Sequence, residues 1–401
     1  MNKIFKVIWS KSKQCYVVVS EMAKNKTGKK KIVVASILAA LAMQVGVVAD
    51  VSADESTLTL GGGKAASGMT NGVSIGYLAE SNSHQSIAIG YQALATSQYA
   101  NPAQPAVAIG AGAKAPGRGG VSLGLDAQSS VRGTAIGSST RATGFGTFAG
   151  GTYAQATNAG DVAIGGASSD QFNDYAVASG GYSVAIGTAA KADGSAGVSI
   201  GYKTNAKTSN SLAIGSESQA TGEGAVAVGR KNTSTGPSST VLGILSTASA
   251  TSATAVGMQT TATGENSLAV GHKSSASGKN GVAVGTNETT ATLGGVAVGQ
   301  AAKSNKFNSV AMGMNVTADG DNSVALGGSA SANSDGTIAI GSYGSTPTKA
   351  TGNRALAIGS ATTANGLESI AIGSRVNSTS QYSIAIGTRA NASAVKSVAI
   401  G

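Results

Sequence analysis

Ser183-Val184-Ala185-Ile186-Gly187 is followed by Val198-Ser199-Ile200-Gly201, then by Ser211-Leu212-Ala213-Ile214-Gly215 and Ala225-Val226-Ala227-Val228-Gly229. Each run ends on a glycine fourteen residues after the last. From Gly187 to Gly341 that spacing holds through eleven intervals. The same ending occurs earlier at Gly76, Gly90, Gly110, Gly124, Gly137 and Gly165, and resumes at Gly359, Gly373, Gly387 and Gly401. A fixed period of this kind marks a repeat architecture and takes precedence over any local reading.

Fourteen is also two heptads, but a coiled coil fails on chemistry. Every repeat carries at least one glycine, and many a second, as at Gly194, Gly222, Gly264, Gly278 and Gly320. Each costs a helix interior about 1 kcal/mol relative to alanine. The cores are β-branched, and no Glu/Lys flanks supply coiled-coil pairing. A short strand followed by a Gly/Asn/Ser/Thr-rich turn fits an all-β solenoid with one coil per repeat.

Alternation along the strand sorts the residues onto two faces. Val184 and Ile186 share one, and the large column continues through Val226/Val228, Leu268/Val270, Val282/Val284 and Ile384/Ile386. These are expected to fill the coil interior. The opposite column is small and dry: Ala213, Ala227, Ala269, Ala283, Ala297, Ala311 and Ala325. It is expected to face partner chains, because a strand apolar on both faces is covered on both. Ordering fourteen residues costs on the order of 20 kcal/mol. Two large side chains per coil do not offset that, so the sequence argues for an oligomer without setting its number.

The first 53 residues read differently. They hold nine of the 28 basic residues and only two of the 18 acidic ones, so most of the formal charge of +10 belongs to them. The remaining body has no polycationic footprint for nucleic acid. Lys29-Lys30-Lys31 ends a charged region, Ile32–Val48 is apolar, and Val51-Ser52-Ala53 places small residues before Asp54. This predicts an export signal cleaved between Ala53 and Asp54, with cleavage after Ala49 as the alternative. Residues 54–70 form a lead-in, and 71–401 carry the repeats, with irregular stretches at 91–105, 138–182 and 342–354. The sole cysteine (Cys15) and sole tryptophan (Trp9) lie in the leader, which excludes disulfides and thiol chemistry from the body.

Two motifs carry a family resemblance. Met1-Asn2-Lys3-Ile4-Phe5-Lys6-Val7-Ile8-Trp9 with Val17-Val18-Val19-Ser20-Glu21-Met22-Ala23-Lys24 resembles the extended signal peptide region of large type V autotransporters. Asn266-Ser267-Leu268-Ala269-Val270-Gly271 and Asn322-Ser323-Val324-Ala325-Leu326-Gly327 resemble the head repeat of YadA-like trimeric autotransporter adhesins. The resemblance implies a left-handed parallel β-roll in a parallel homotrimer, exported by the secretion machinery and displayed on the cell surface. It also implies binding to extracellular-matrix proteins such as collagen, to host cells or to other bacteria. The family's neck, stalk and outer-membrane β-barrel anchor are absent from this chain, which stops in mid-motif at Gly401 and is expected to be an N-terminal fragment.

No residue constellation points to an enzyme, a cofactor or a metal. His84 and His272 are far apart in a linear stack, and Gly144–Gly150 lacks the glycine spacing of a dinucleotide fingerprint. Insertions must loop outward, so ligand contacts are expected at Tyr91, Tyr99, Tyr343, Lys349 and Arg354, beside the lengthened intervals. A non-binding spacer is the alternative. An ice-binding solenoid would need threonines in register; Thr260, Thr261 and Thr263 cluster in one coil, but Gly215–Ala220 offers none.

Overall fold

The computed structural model describes residues 5–10, 15–20, 57–65, 71–97, 105–167, 174–341 and 346–401. Phe5–Ser10 and Cys15–Ser20 form an antiparallel hairpin in the leader. From Leu58 onward the described residues form a parallel β-solenoid of about 23 coils, each contributing one strand to each of two ladders. The first ladder starts with Leu58–Leu60 on Val73–Ile75 and ends with Ile384–Thr388 on Val398–Ile400. The second, built of two-residue strands, runs from Lys64–Ala65 on Glu80–Ser81 to Asn377–Ser378 on Asn391–Ala392. The solenoid therefore begins inside the stretch read as a lead-in. At a strand spacing of about 4.8 Å, such a stack is about 110 Å long.

The two faces of the repeat are assigned the other way round from the sequence reading. Ala213, Ala227, Ala269, Ala283, Ala297, Ala311 and Ala325 are fully buried within the single chain. They point into the coil and meet the second-ladder alanines Ala220, Ala262, Ala276 and Ala318. The large column points out: Val226 and Val228, like Leu268 and Val270, are only half-buried. The reason is width. The interior holds Ala, Ser and Thr almost throughout, and among the described residues its largest fully buried side chains are the valines Val241, Val316 and Val376. Two ladders joined by corners of four and five residues lie too close together for an inward Val/Ile pair on every coil.

Two corners per coil turn the chain, and both use the left-handed region. Lys203, Glu217 and Lys231 occupy one (φ 53°, 58° and 55°), and Ala196 and Asn210 the other (φ 53° and 57°). The repeat glycine has a stricter role. Gly243 has φ 147°, and a Cβ there would lie 1.7 Å from the Gly257 carbonyl oxygen. Only glycine lets successive coils stack at that corner.

The irregular stretches are narrower than the sequence suggested. Phe148–Gly150 pairs with Thr134–Ile136 on one side and Val162–Ile164 on the other, so most of 138–182 is ordinary coil. Extra residues enter between Ile164 and Val177, between Ala95 and Val107, and between Ile340 and Lys349. Elsewhere a shift is hidden by the constant glycine spacing. Ser275 pairs with Thr290 and Thr290 with Lys303, a long interval followed by a short one. Asn287 and Glu288, both left-handed, absorb the additional residue.

Candidate functional surface

The outward rank of the first ladder is the most extensive apolar feature. Ile109, Ile136, Ile164, Leu242, Met312, Ile338 and Ile386 stand 36–44% exposed, and each is in register with an apolar residue in an adjoining coil. Interior alanines release little free energy, about 0.8 kcal/mol per buried methyl-sized group. The larger apolar area is on the outside, in a long stripe broken at Gly150, and an exposed apolar stripe of this kind is the signature of an interaction surface.

Of the expected ligand residues, the described ones lie at separate places along the solenoid. Tyr91 is exposed and stacks on Tyr77, ring centroids 6.1 Å apart, at a regular corner rather than in the inserted segment. Lys349 is an exposed second-ladder residue at the far end of the rod from Tyr91. Arg354 sits at the next corner and pairs with Glu368 at 2.6 Å, both well exposed. Tyr99 and Tyr343 lie outside the described residues, as do Ala53 and Asp54.

Polar groups are likewise spread along the rod. Among the described residues no group of His, Cys, Asp and Glu is placed to hold a metal. His84 and His272 are separated by many coils. Lys203 stands 5.1 Å from the Tyr202 ring centroid, and its hydrogen bond with Tyr202, followed by the charge interaction with the same residue, raises its pKa. An open groove lined by Asp193, Ser195, Lys207, Thr208 and Glu223 has no nucleophile paired with a base.

The sequence reading missed a rank of hydroxyls. Thr233, Thr247, Thr261, Ser275 and Thr290 follow one another in second-ladder register on the outer surface. Thr260, placed with them by sequence proximity, points inward and is fully buried. The rank is bounded by Gln219 and Lys303, in line with the absence of threonine at Gly215–Ala220.

Comparison with known proteins fits this geometry. The YadA head domain repeat matches at ten places between residues 68 and 401: 68–93, 103–127, 178–204, 209–232, 234–260, 262–287, 293–315, 318–343, 350–375 and 378–401. The chain belongs to the YadA head-repeat family. Residues 1–49 match the extended signal peptide of the type V secretion system. The autotransporter adhesin EhaG of Escherichia coli O157:H7 is 36% identical over 111 residues, which is 25% of this chain and 7% of the relative. The unmatched interval 128–177 contains the coil around Phe148–Gly150, where Gly150 stands at the outward position that is apolar elsewhere. The head repeats together with the autotransporter leader support secretion, surface display and an adhesin-type role.

Proposed function

We propose that this chain forms the head of a trimeric adhesin, attached to the outer membrane through a further region, that holds bacteria to extracellular-matrix protein such as collagen, to host cells or to other bacteria. One observation carries the reading: an apolar outward rank, broken only at Gly150 among the described strands, follows the first ladder while the interior is filled with small residues, mostly alanine. Parallel copies in register would cover that rank on each other, so each coil meets its equivalent and the second ladder stays outside. Three chains closing around an axis bury the rank on every chain. Each outward corner then occurs three times per coil level, and weak contacts repeated along about 110 Å (coil spacing as above) add by avidity rather than by a deep pocket.

The test has two readouts. Light scattering of the full chain should give three times the chain mass, and cells displaying it should adhere to immobilised matrix protein above cells that lack it. A monodisperse monomer, or display without any gain in adhesion to matrix, host cells or other bacteria, would overturn the reading in favour of a spacer.

A further inference from the structure

We infer that Lys114, Arg118, Arg132 and Arg141 form a binding site for a linear sulfated glycan. The inference rests on the adhesin reading only for its biological use; the site itself rests on charge and placement. Residues 106–160 contain these four cations and a single acid, Asp126. The cations fall on three consecutive coils. Lys114 and Arg141 are exposed outward residues of the second ladder, with Gln128 between them in register. Two coil spacings separate them by about 10 Å.

Arg118 and Arg132 occupy the corner that follows this rank. The Arg132 backbone N–H donates to the Arg118 carbonyl at 2.8 Å, which sets the two on adjacent coils. This corner is one residue shorter than usual: Gln128 to Arg141 spans thirteen residues, and Gly117 packs against Ser130 so closely that a Cβ would lie 2.3 Å from its carbonyl carbon. The Arg118 Nε is enclosed and has no hydrogen-bond acceptor. None of the four cations makes an ion pair of the kind seen at Lys231–Glu217, Lys279–Glu265 or Arg354–Glu368. Asp126 lies at the opposite end of the second-ladder strand, at the corner before Gln128. The nearest acid beyond, Asp161, is buried and accepts from Ser183 and Asn158. Glu80 is in the same rank as Lys114 but two coils away, beyond Leu94.

A protein surface that holds four unpaired cations together, three of them arginines, fits an anionic polymer. Arginine recognises sulfate-like and carboxylate groups through paired N–H donors. The surroundings favour a glycan over other polyanions. Phe145 carries the Arg132 guanidinium over one face, 5.4 Å from its centroid, and Tyr175, bonded to Gln155 one coil beyond Arg141, lies against Tyr153, so the rings near the site are engaged by protein groups rather than arrayed as a row on which successive bases could stack. Gln128, Ser130 and Gly117, the residues between the cations, offer no large apolar side chain against which an acidic protein partner would pack an anchor. The site also belongs to the second-ladder side, which stays outside if the first-ladder rank is covered.

The test compares full chains by surface-immobilised binding to heparin as probe, with fully desulfated heparin, single-stranded DNA and poly-glutamate as competitors. One variant replaces the four by glutamine (K114Q, R118Q, R132Q, R141Q); a second replaces leader lysines (K3Q, K6Q, K11Q, K13Q) to account for the charge of the leader. Heparin affinity should fall at least tenfold in the first variant, with a shallower salt dependence, and should fall less in the second. Desulfated heparin should compete poorly, and unchanged circular dichroism and melting should accompany the loss. Wild-type affinity in the four-residue variant overturns the site. Equal or better competition by DNA or poly-glutamate overturns the glycan assignment. A chain that binds heparin through these residues but confers no adhesion refutes the adhesin reading and leaves the site standing.

Discussion

Thr260 donates its hydroxyl hydrogen to the carbonyl oxygen of Gly271 across 2.6 Å, from inside one coil to the corner of the next. The same bond joins Ser246 to Gly257, Ser274 to Gly285, Thr348 to Gly359 and Thr362 to Gly373. At Asn232 a carboxamide does the work twice over, donating to Val228 and Gly243 while accepting from the Ser246 N–H. Where this buried column carries small polar side chains, as in the unbroken run from Ser218 to Thr289, it stitches one corner to the next. Val316 and Val376 stand in the same column without a hydroxyl, so the position tolerates the shape but not always the chemistry.

Replacing Thr260 by valine keeps the volume and removes the donor. The Gly271 carbonyl loses this partner, and the expected cost is about 1 kcal/mol. Urea denaturation at constant slope should show the loss, while the same-column change Val316→Thr should not destabilise by more. A valine variant as stable as the parent would mean that the bond adds nothing.

Filling the interior should be far more damaging than the small size of alanine suggests. Ala269 is fully enclosed, so Ala269→Leu forces extra carbons between ladders with no free volume. The expected destabilisation is about 1–3 kcal/mol per site, and a double change with Ala283→Leu should roughly add or exceed that. Thermal melting of the variants decides it; an unperturbed melt would place the alanine column on the surface.

Changes on the outward rank should separate assembly from folding. Val282→Glu with Val284→Glu puts two carboxylates on a half-buried stripe that one chain leaves open to water. Secondary structure should persist by circular dichroism, and light scattering should fall toward the single-chain mass, because a covered charge without a partner costs several kcal/mol. An intact oligomer would show that this rank is not the contact.

Glycine is required at the stacking corner for two independent reasons. Gly243→Ala meets both a φ of 147° and a carbonyl oxygen 1.7 Å from the new carbon. We expect the variant to be recovered insoluble or to melt far below the parent, whereas Gly146→Ala, with nothing within 4 Å, should fold. In contrast, Glu368→Ala removes an ion pair that is open to solvent at Arg354, and the change in stability should stay below about 1 kcal/mol.

Much of the architecture was written along the chain. The fourteen-residue return of Gly187, Gly201 and Gly215, the β-branched cores and the glycine content together specify a parallel solenoid, because no other regular structure satisfies that period with those residues. Alternation also determined that Ala213 and Leu212 lie on opposite faces. It did not determine which face is inside. A period of two is unchanged when both faces are exchanged, and ordinary burial rules favour the larger side chain for the core. Only the tertiary structure supplies the distance between the two ladders, and that distance admits alanine and excludes an inward valine pair on each coil. The same limit hid the cationic site. Lys114 and Arg141 are 27 residues apart in sequence, and only the coil stacking brings them onto one side, two strand spacings from each other.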